Sequence, residues 1–365
     1  MSDVQSSRPP NGPPRSASWN RARSLVLRHG WNAVAYQILN PGMELWFAED
    51  GDAVVGYVTH AGVRVVAGAP VCARERLASV AAEFEDAATA RRERVCYFGA
   101  GERLERVLAS SASHAFVLLG AQPVWDPHDW ERGVGRKASF RAQLRRARNK
   151  EVRVSEWPAA TAHEHPALRR VLAEWLATRG LPPMHFLVEP ETLGRLDDRR
   201  IFVAEQGGAV IAFLIATPVP AQSGWLIEQW PRGRAAPNGT VESLINEAMI
   251  AFASAGARYV TLGLSPLSRH APPALTRVPL WLRLTLAWVR VHGRRFYDFD
   301  GLDAFKTKFA PVRWEPVYAI ANDREFSPRM LYAIGGAFSN GSPVLFVARG
   351  LAWAVRQELR QFRAR

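Results

Sequence analysis

Apolar positions change their period several times along the chain, and the changes mark out alternating elements. Over residues 46–66, runs rich in Val, Trp and Tyr are broken at Asp50-Gly51-Asp52 and His60-Ala61-Gly62, which predicts a three-stranded meander. Helical periods predict a basic helix over 19–29 and a second helix over 74–91. A short buried strand over 95–98, another helix, and a strand over 115–119 follow. The first half therefore reads as mixed α and β.

The second half repeats the plan. Residues 47–57 (FAEDGDAVVGY) align without a gap on residues 203–213 (VAEQGGAVIAF). Residues 95–99 and 259–263 are both apolar strands ending in Gly, each preceded by a helix. Hairpin, helix and strand in the same order in both halves predict a duplication, with a boundary near 150–160. Between the halves, residues 136–153 are strongly basic, with Arg141, Arg145, Arg148 and Lys150 close to one helical face. That face reads either as plain solvated surface or as a contact for phosphate or a tRNA backbone. Over residues 344–365, Arg349, Arg356, Arg360 and Arg363 oppose Val347, Leu351, Val355, Leu359 and Phe362 on a helix. Such a helix either docks by its apolar face or lies in an anionic membrane surface.

Composition narrows the classes. The 365 residues are 48% hydrophobic and 22% charged, a globular balance that excludes global disorder. About two domains fit this length. No apolar run of about 18 residues is free of charge, which excludes a spanning helix. The first 18 residues are polar, rich in Pro and Ser, and have no apolar signal core, so a disordered tail is expected. Cys72 and Cys96 are too few for a disulfide framework or a four-ligand zinc site, and the expected location is the reducing cytosol. The net charge of +13 suits phosphate-bearing partners. Only Lys137, Lys150, Lys306 and Lys308 are lysines among 47 basic residues, so each is a mild sign that Arg would not serve.

Phosphate loops of the GxxxxGK[ST] type, dinucleotide fingerprints, HExxH and GxSxG elbows are all missing, and no metal-ligand spacing stands out. What stands out is Pro237-Asn238-Gly239-Thr240, a turn with Thr240 as candidate N-cap, followed by Glu242 and Ser243 opening an apolar-periodic helix to about 253. A helix start of this kind either is ordinarily capped or offers N–H groups to a phosphate or oxyanion. The strand over 258–262 leads to residues 263–268 (GLSPLS). Tyr297-Asp298-Phe299-Asp300-Gly301 and Phe305-Lys306-Thr307-Lys308-Phe309 complete the distinctive residues.

Three of these stretches resemble the soluble half of the phosphatidylglycerol lysyltransferases, the aminoacyl-phosphatidylglycerol synthases: residues 263–268, residues 301–318 (GLDAFKTKFAPVRWEPVY) and residues 236–245 (APNGTVESLI). Weaker echoes at 62–71, 97–102 and 140–156 extend the similarity over roughly 31–320. The resemblance implies an α/β fold of two tandem acetyltransferase-like (GNAT) domains, each a mixed sheet flanked by helices. With the tail, the repeat boundary and the basic amphipathic C-terminal segment read above, the expected layout is a tail at 1–18, domains at 19–150 and 151–325, the second catalytic, and a segment at 326–365. The resemblance implies transfer of an aminoacyl group from aminoacyl-tRNA to a phospholipid hydroxyl such as that of phosphatidylglycerol, with no cofactor or metal. The protein would then sit peripherally at the inner face of the membrane. Ala69 and Val317 replace an acidic residue and an Arg common in the family, and residues 181–189 do not match its lysine-selecting region. The amino acid, the acceptor lipid and the oligomeric state stay open.

On this reading Glu242, Lys306 and Lys308 are the catalytic candidates. Glu242 holds the α-ammonium or acts as base, and the lysines bind the tRNA terminal phosphate or the lipid phosphate, one of them stabilising the oxyanion. Asn238 and Gly239 orient the acyl carbonyl, and Ser265, Ser268, Tyr297 and Asp298 line the same cleft. Arg145, Arg148 and Lys150 bind the tRNA backbone. The runner-up is an acyl-CoA-dependent N-acyltransferase acting on a small molecule. It should show a glycine-rich pyrophosphate loop, yet residues 232–240 hold only two glycines. Third is a non-catalytic tRNA- or membrane-binding module.

Overall fold

In the computed structural model, residues 16–179, 184–272, 279–285, 299–339, 341 and 343 are described. The chain opens with helix α1 (Ala17–His29), N-capped by the Ser16 hydroxyl, and buries Ala22, Leu25 and Val26. Residues 16–18 thus belong to a capped helix rather than to the expected tail, while 1–15 lie outside the described residues. Arg23 on α1 forms a bidentate pair with Asp198 at 2.5 and 2.6 Å, joining the N-terminus to the second half.

The predicted meander is present as β1 (Glu44–Phe47), β2 (Val54–His60) and β3 (Val63–Ala67), all antiparallel. Helix α2 (Leu77–Thr89) then crosses over to β4 (Arg94–Gly101), which runs parallel to β3. Its apolar stripe of Leu77, Val80, Ala81, Phe84 and Ala88 packs on Val95, Tyr97 and Val55 of the sheet. Helix α3 (Glu102–Leu108) leads into β5 (Ala115–Trp125), six residues longer than the predicted 115–119 strand.

The second half follows the same course. After helix α4 (Ala138–Asn149) come β6 (Arg153–Trp157), helix α5 (Pro166–Leu176), and the antiparallel strands β7 (Arg200–Gln206), β8 (Ala209–Val219) and β9 (Gly224–Gln229). Helix α6 (Thr240–Ser254) crosses to β10 (Tyr259–Thr261), which is parallel to β9. The short β11 (Ser265–Pro266), helix α7 (Phe299–Thr307) and β12 (Arg313–Ala321) follow. The repeated hairpins of the sequence are β1–β2 and β7–β8, and the repeated Gly-ended strands are β4 and β10.

The last strand of each half crosses into the other. The sheet order is β1-β2-β3-β4-β12-β5-β10-β9-β8-β7-β6. β12 pairs with β4, β5 pairs with β10, and β5 and β12 lie antiparallel from Ala115↔Ala321 to Val124↔Arg313. With the edge strand β6 set aside, the order reads the same from either end when β1–β4 and β5 trade places with β7–β10 and β12. One continuous sheet with helices against it results, the mixed α/β arrangement expected. Its two halves are filled by separate clusters: one packs α6 through Leu244, Ile245, Met249 and Phe252 on β7–β9, another packs α2 on β2–β4. Helix α8 (Pro328–Ser339) buries Met330, Ala333, Ile334 and Ala337 against the first half, whereas the basic helix expected over 344–365 lies outside the described residues. Cys72 and Cys96 are buried and free, and burial pushes their thiols up to about 11 and about 12.

Candidate active site

The turn 230–239 between β9 and α6 shapes one wall of a cleft of about 480 Å3. Gly239 is its pivot. Its φ of +95° lies in the left-handed region, and a Cβ there would stand 2.2 Å from the Gln143 carbonyl oxygen of α4. Only glycine lets α6 start this close to α4. The N-cap is Gly239 rather than the predicted Thr240. The Thr240 hydroxyl donates to the Pro237 carbonyl at 2.8 Å and the Ser243 hydroxyl to the Gly239 carbonyl at 2.9 Å. The Thr240 and Ser243 N–H groups donate to the Pro237 and Gly239 carbonyls, and no side chain caps the helix, so the Val241 and Glu242 N–H groups and the positive dipole end stand uncapped beside the cleft.

Glu242 projects from this first turn. Its Oε1 accepts a hydrogen bond from Lys308 Nζ at 2.7 Å, with the carboxylate 12% and the ammonium 40% exposed. Lys308 Nζ also sits 4.0 Å from the Phe305 ring centre and 5.0 Å from that of Phe309, a cation–π contact that holds the ammonium in place. Trp230 stacks on Phe305 at 5.9 Å. Trp175, Gln143, Arg232, Asn238 and Val241 complete the lining. The site therefore offers an acid–base pair, uncapped helix N–H groups and an aromatic wall in one opening.

Lys306 goes elsewhere. It is 1% exposed, and its Nζ donates to the Gly263 carbonyl at 2.8 Å and the Leu264 carbonyl at 3.0 Å. Burial lowers its pKa to about 7, with the Asp303 carboxylate opposing that shift. Ser268 donates to Asp303 at 2.6 Å, and Ser265 is buried with a hydroxyl that has no hydrogen-bond partner among the described residues. Lys306, Ser265 and Ser268 thus form a sealed layer beneath the 263–268 turn, not part of the cleft lining. Arg145, Arg148 and Lys150 are exposed on or just after α4, whose buried Phe140 and Ala147 face inward. Tyr297 and Asp298 lie outside the described residues. Among the described residues no helix is long and apolar enough to cross a membrane, and no three or more His, Cys, Asp or Glu side chains are gathered to hold a metal.

Trp175, Trp230, Arg232 and Gln143 are cleft residues that the sequence does not single out, and Phe305, expected in the core, lines the cleft. Trp230 carries a signal, since it stands just past the end of a strand at a parallel crossover, where ligands gather. Trp175, within the stripe of an amphipathic helix, carries none.

A sequence profile described as "Phosphatidylglycerol lysyltransferase, C-terminal" matches residues 23–321. The chain belongs to this family. A phosphatidylglycerol lysyltransferase of Bacillus subtilis (strain 168) is 26% identical over 315 residues, covering 85% of this chain but 36% of the relative. The chain thus spans about a third of that relative's length. Two solved structures share the fold. The C-terminal domain of a putative lysylphosphatidylglycerol synthetase from Agrobacterium fabrum has a TM-score of 0.76 at 23% identity, covering 89% of this chain and 98% of that one. L-PGS from Bacillus licheniformis has a TM-score of 0.70 at 20% identity, covering 86% and 94%. The phosphatidylglycerol lysyltransferase C-terminal family is a transferase family by name. Its fold is the doubled mixed α/β unit traced above.

Proposed function

We propose that the cleft transfers the aminoacyl group of an aminoacyl-tRNA to a hydroxyl of an anionic phospholipid such as phosphatidylglycerol, at a membrane surface. The observation that carries this reading is the Glu242–Lys308 pair at the uncapped start of α6. In the proposed step the lipid hydroxyl oxygen attacks the acyl carbonyl carbon, and a tetrahedral oxyanion forms. The bond to the tRNA 3′-terminal ribose oxygen then breaks. The proton lost by the lipid hydroxyl passes to a base and on to the leaving ribose oxygen, so a new ester forms without a cofactor. Glu242 either accepts that proton or holds the α-ammonium. The Val241 and Glu242 N–H groups and Lys308 would stabilise that oxyanion in this reading. Lys306 acts from below by fixing the 263–264 carbonyls. Arg145, Arg148 and Lys150 supply the tRNA contact.

The acyl-CoA reading is the weaker one, because the crossover turn has little backbone to offer a pyrophosphate. The N–H of Gly233 donates to the Ile211 carbonyl at 2.8 Å and that of Arg234 to Glu174 at 3.0 Å. Both glycines of the turn are accounted for by packing, Gly239 on Gln143 and Gly233 on Glu174 and Ile211. Incubation with radiolabelled aminoacyl-tRNAs and phosphatidylglycerol vesicles tests the choice. Label entering the lipid, abolished by ribonuclease and unaffected by excess acetyl-CoA, is the expected result. Saturable acetyl-CoA binding without lipid labelling would favour the acyl-CoA enzyme.

A further inference from the structure

The strand exchange makes the two halves comparable site by site. The cleft of the second half is built from the crossover turn after β9 and from α7, the helix before the exchanged strand β12. The equivalent parts of the first half are the crossover turn after β3 and α3, the helix before the exchanged strand β5. These also enclose a cavity, of about 350 Å3, lined by Arg74, Glu102, Arg103, Arg106 and Val107. The counterpart positions that carry an acid–base pair and aromatics in one half carry three arginines in the other.

Two of these three arginines are not neutralised by a carboxylate among the described residues. Arg106 is paired with Glu102 at 2.6 Å, and Arg76, on the same turn, with Asp50 at 2.6 Å. Arg74 and Arg103 have no carboxylate partner among the described residues. Arg103 lies over the Trp31 ring at 4.4 Å, which fixes its guanidinium plane. Burial first, and the Arg74 charge second, hold the Arg103 pKa below its usual range. With the one carboxylate of the lining, Glu102, committed to Arg106, the Arg74 and Arg103 guanidinium groups repel one another until an anion lies between them. Phosphate oxygens fit that fork, since guanidinium groups bind them in bidentate fashion.

We propose that the first half retains the duplicated cleft as a phosphate-binding site, in which Arg74 and Arg103 hold the phosphate of a small phosphoester such as a phospholipid headgroup. The cavity is small, has Val107 in its lining, and suits a single phosphate rather than a nucleic-acid backbone. Binding there does not depend on the transfer reaction in the other cleft.

Calorimetry on the full chain, with inorganic phosphate and with glycerophosphoglycerol as probes, tests it. A saturable site is expected in wild type and retained in Lys308→Ala, and its affinity falls at least about tenfold in Arg103→Gln or Arg74→Gln. Phosphate should raise the melting temperature of the wild type and leave that of Arg74→Gln unmoved. Without anion, Arg74→Gln should melt no lower than wild type, because it relieves repulsion; a merely structural Arg74 would give a loss. Tighter binding of glycerophosphoglycerol than of phosphate, together with flotation on phosphatidylglycerol but not phosphatidylcholine vesicles that Arg74→Gln reduces, assigns the lipid headgroup. Equal binding of both probes assigns free phosphate. Absence of saturable binding, binding insensitive to both arginine variants, binding lost in Lys308→Ala, or displacement of either probe by an RNA oligonucleotide would overturn the proposal.

Discussion

Lys306 and Lys308 stand two positions apart at the end of one helix, and their ammonium groups lie in opposite surroundings. Lys306 Nζ is sealed between the Gly263 and Leu264 carbonyls, while Lys308 Nζ meets the Glu242 carboxylate at the cleft. The helical turn alone accounts for the divergence, since residues i and i+2 point to nearly opposite sides. Substitution should separate them. Lys308→Ala should lower the transfer rate about 10²-fold, the scale for a lost oxyanion donor, and leave the melting temperature nearly unchanged. Lys306→Ala should cost about 2–5 kcal/mol of stability, because it leaves a cavity and two buried carbonyls unpaired, and thermal unfolding reads that loss directly.

The buried Lys306 also gives a pH signature. Its folded pKa is lowered to about 7, below the unfolded value of about 10.4. Between those limits the unfolded chain binds more protons than the native one, so stability rises with pH through this window. Below about pH 7 both states are protonated and the burial penalty is fully felt. The slope from this one group is about 1.4 kcal/mol per pH unit. Denaturant unfolding from pH 7 to 10 should show it in wild type and not in Lys306→Met.

Gly239→Ala should fail at two levels. The methyl group would meet the Gln143 carbonyl, and the left-handed backbone is strained for alanine. A loss of about 1–3 kcal/mol is expected, along with a loss of transfer activity as α6 moves off α4. An alanine variant with wild-type melting and activity would show that the close approach of the two helices is dispensable.

The exposed basic residues of α4 should act on binding alone. Replacing Arg145, Arg148 and Lys150 together with Gln should raise the KM for aminoacyl-tRNA and leave kcat intact. The slope of log affinity against log salt should become shallower, by roughly 0.7–0.9 for each phosphate no longer neutralised. Filter binding across a salt series measures it.

The hairpin repeat is readable in the sequence because alternation and turn glycines are local signals, and β1–β2 and β7–β8 carry both. The exchange of β5 and β12 is not. Pairing between Ala115 and Ala321 depends on which of several apolar strands finds which neighbour, and period 2 does not encode that choice. The candidate site is half legible for the same reason. Glu242, Asn238 and Gly239 share one turn and stay together. Lys306 and Lys308 cannot be told apart without the position of the 263–264 carbonyls. Trp175 reaches the cleft from a helix some 60 residues earlier than Asn238, and in sequence it looks like core.

Whether the Glu242–Lys308 cleft carries out tRNA-dependent transfer to lipid is tested most directly by a single-turnover rate. One radiolabelled aminoacyl-tRNA and phosphatidylglycerol vesicles would be given to wild type and to Glu242→Gln. Rapid label transfer by wild type and a fall of about 10²–10⁴-fold in the variant are expected, with tRNA binding retained. A Glu242→Gln protein that transfers label at the wild-type rate would contradict the assignment of the cleft.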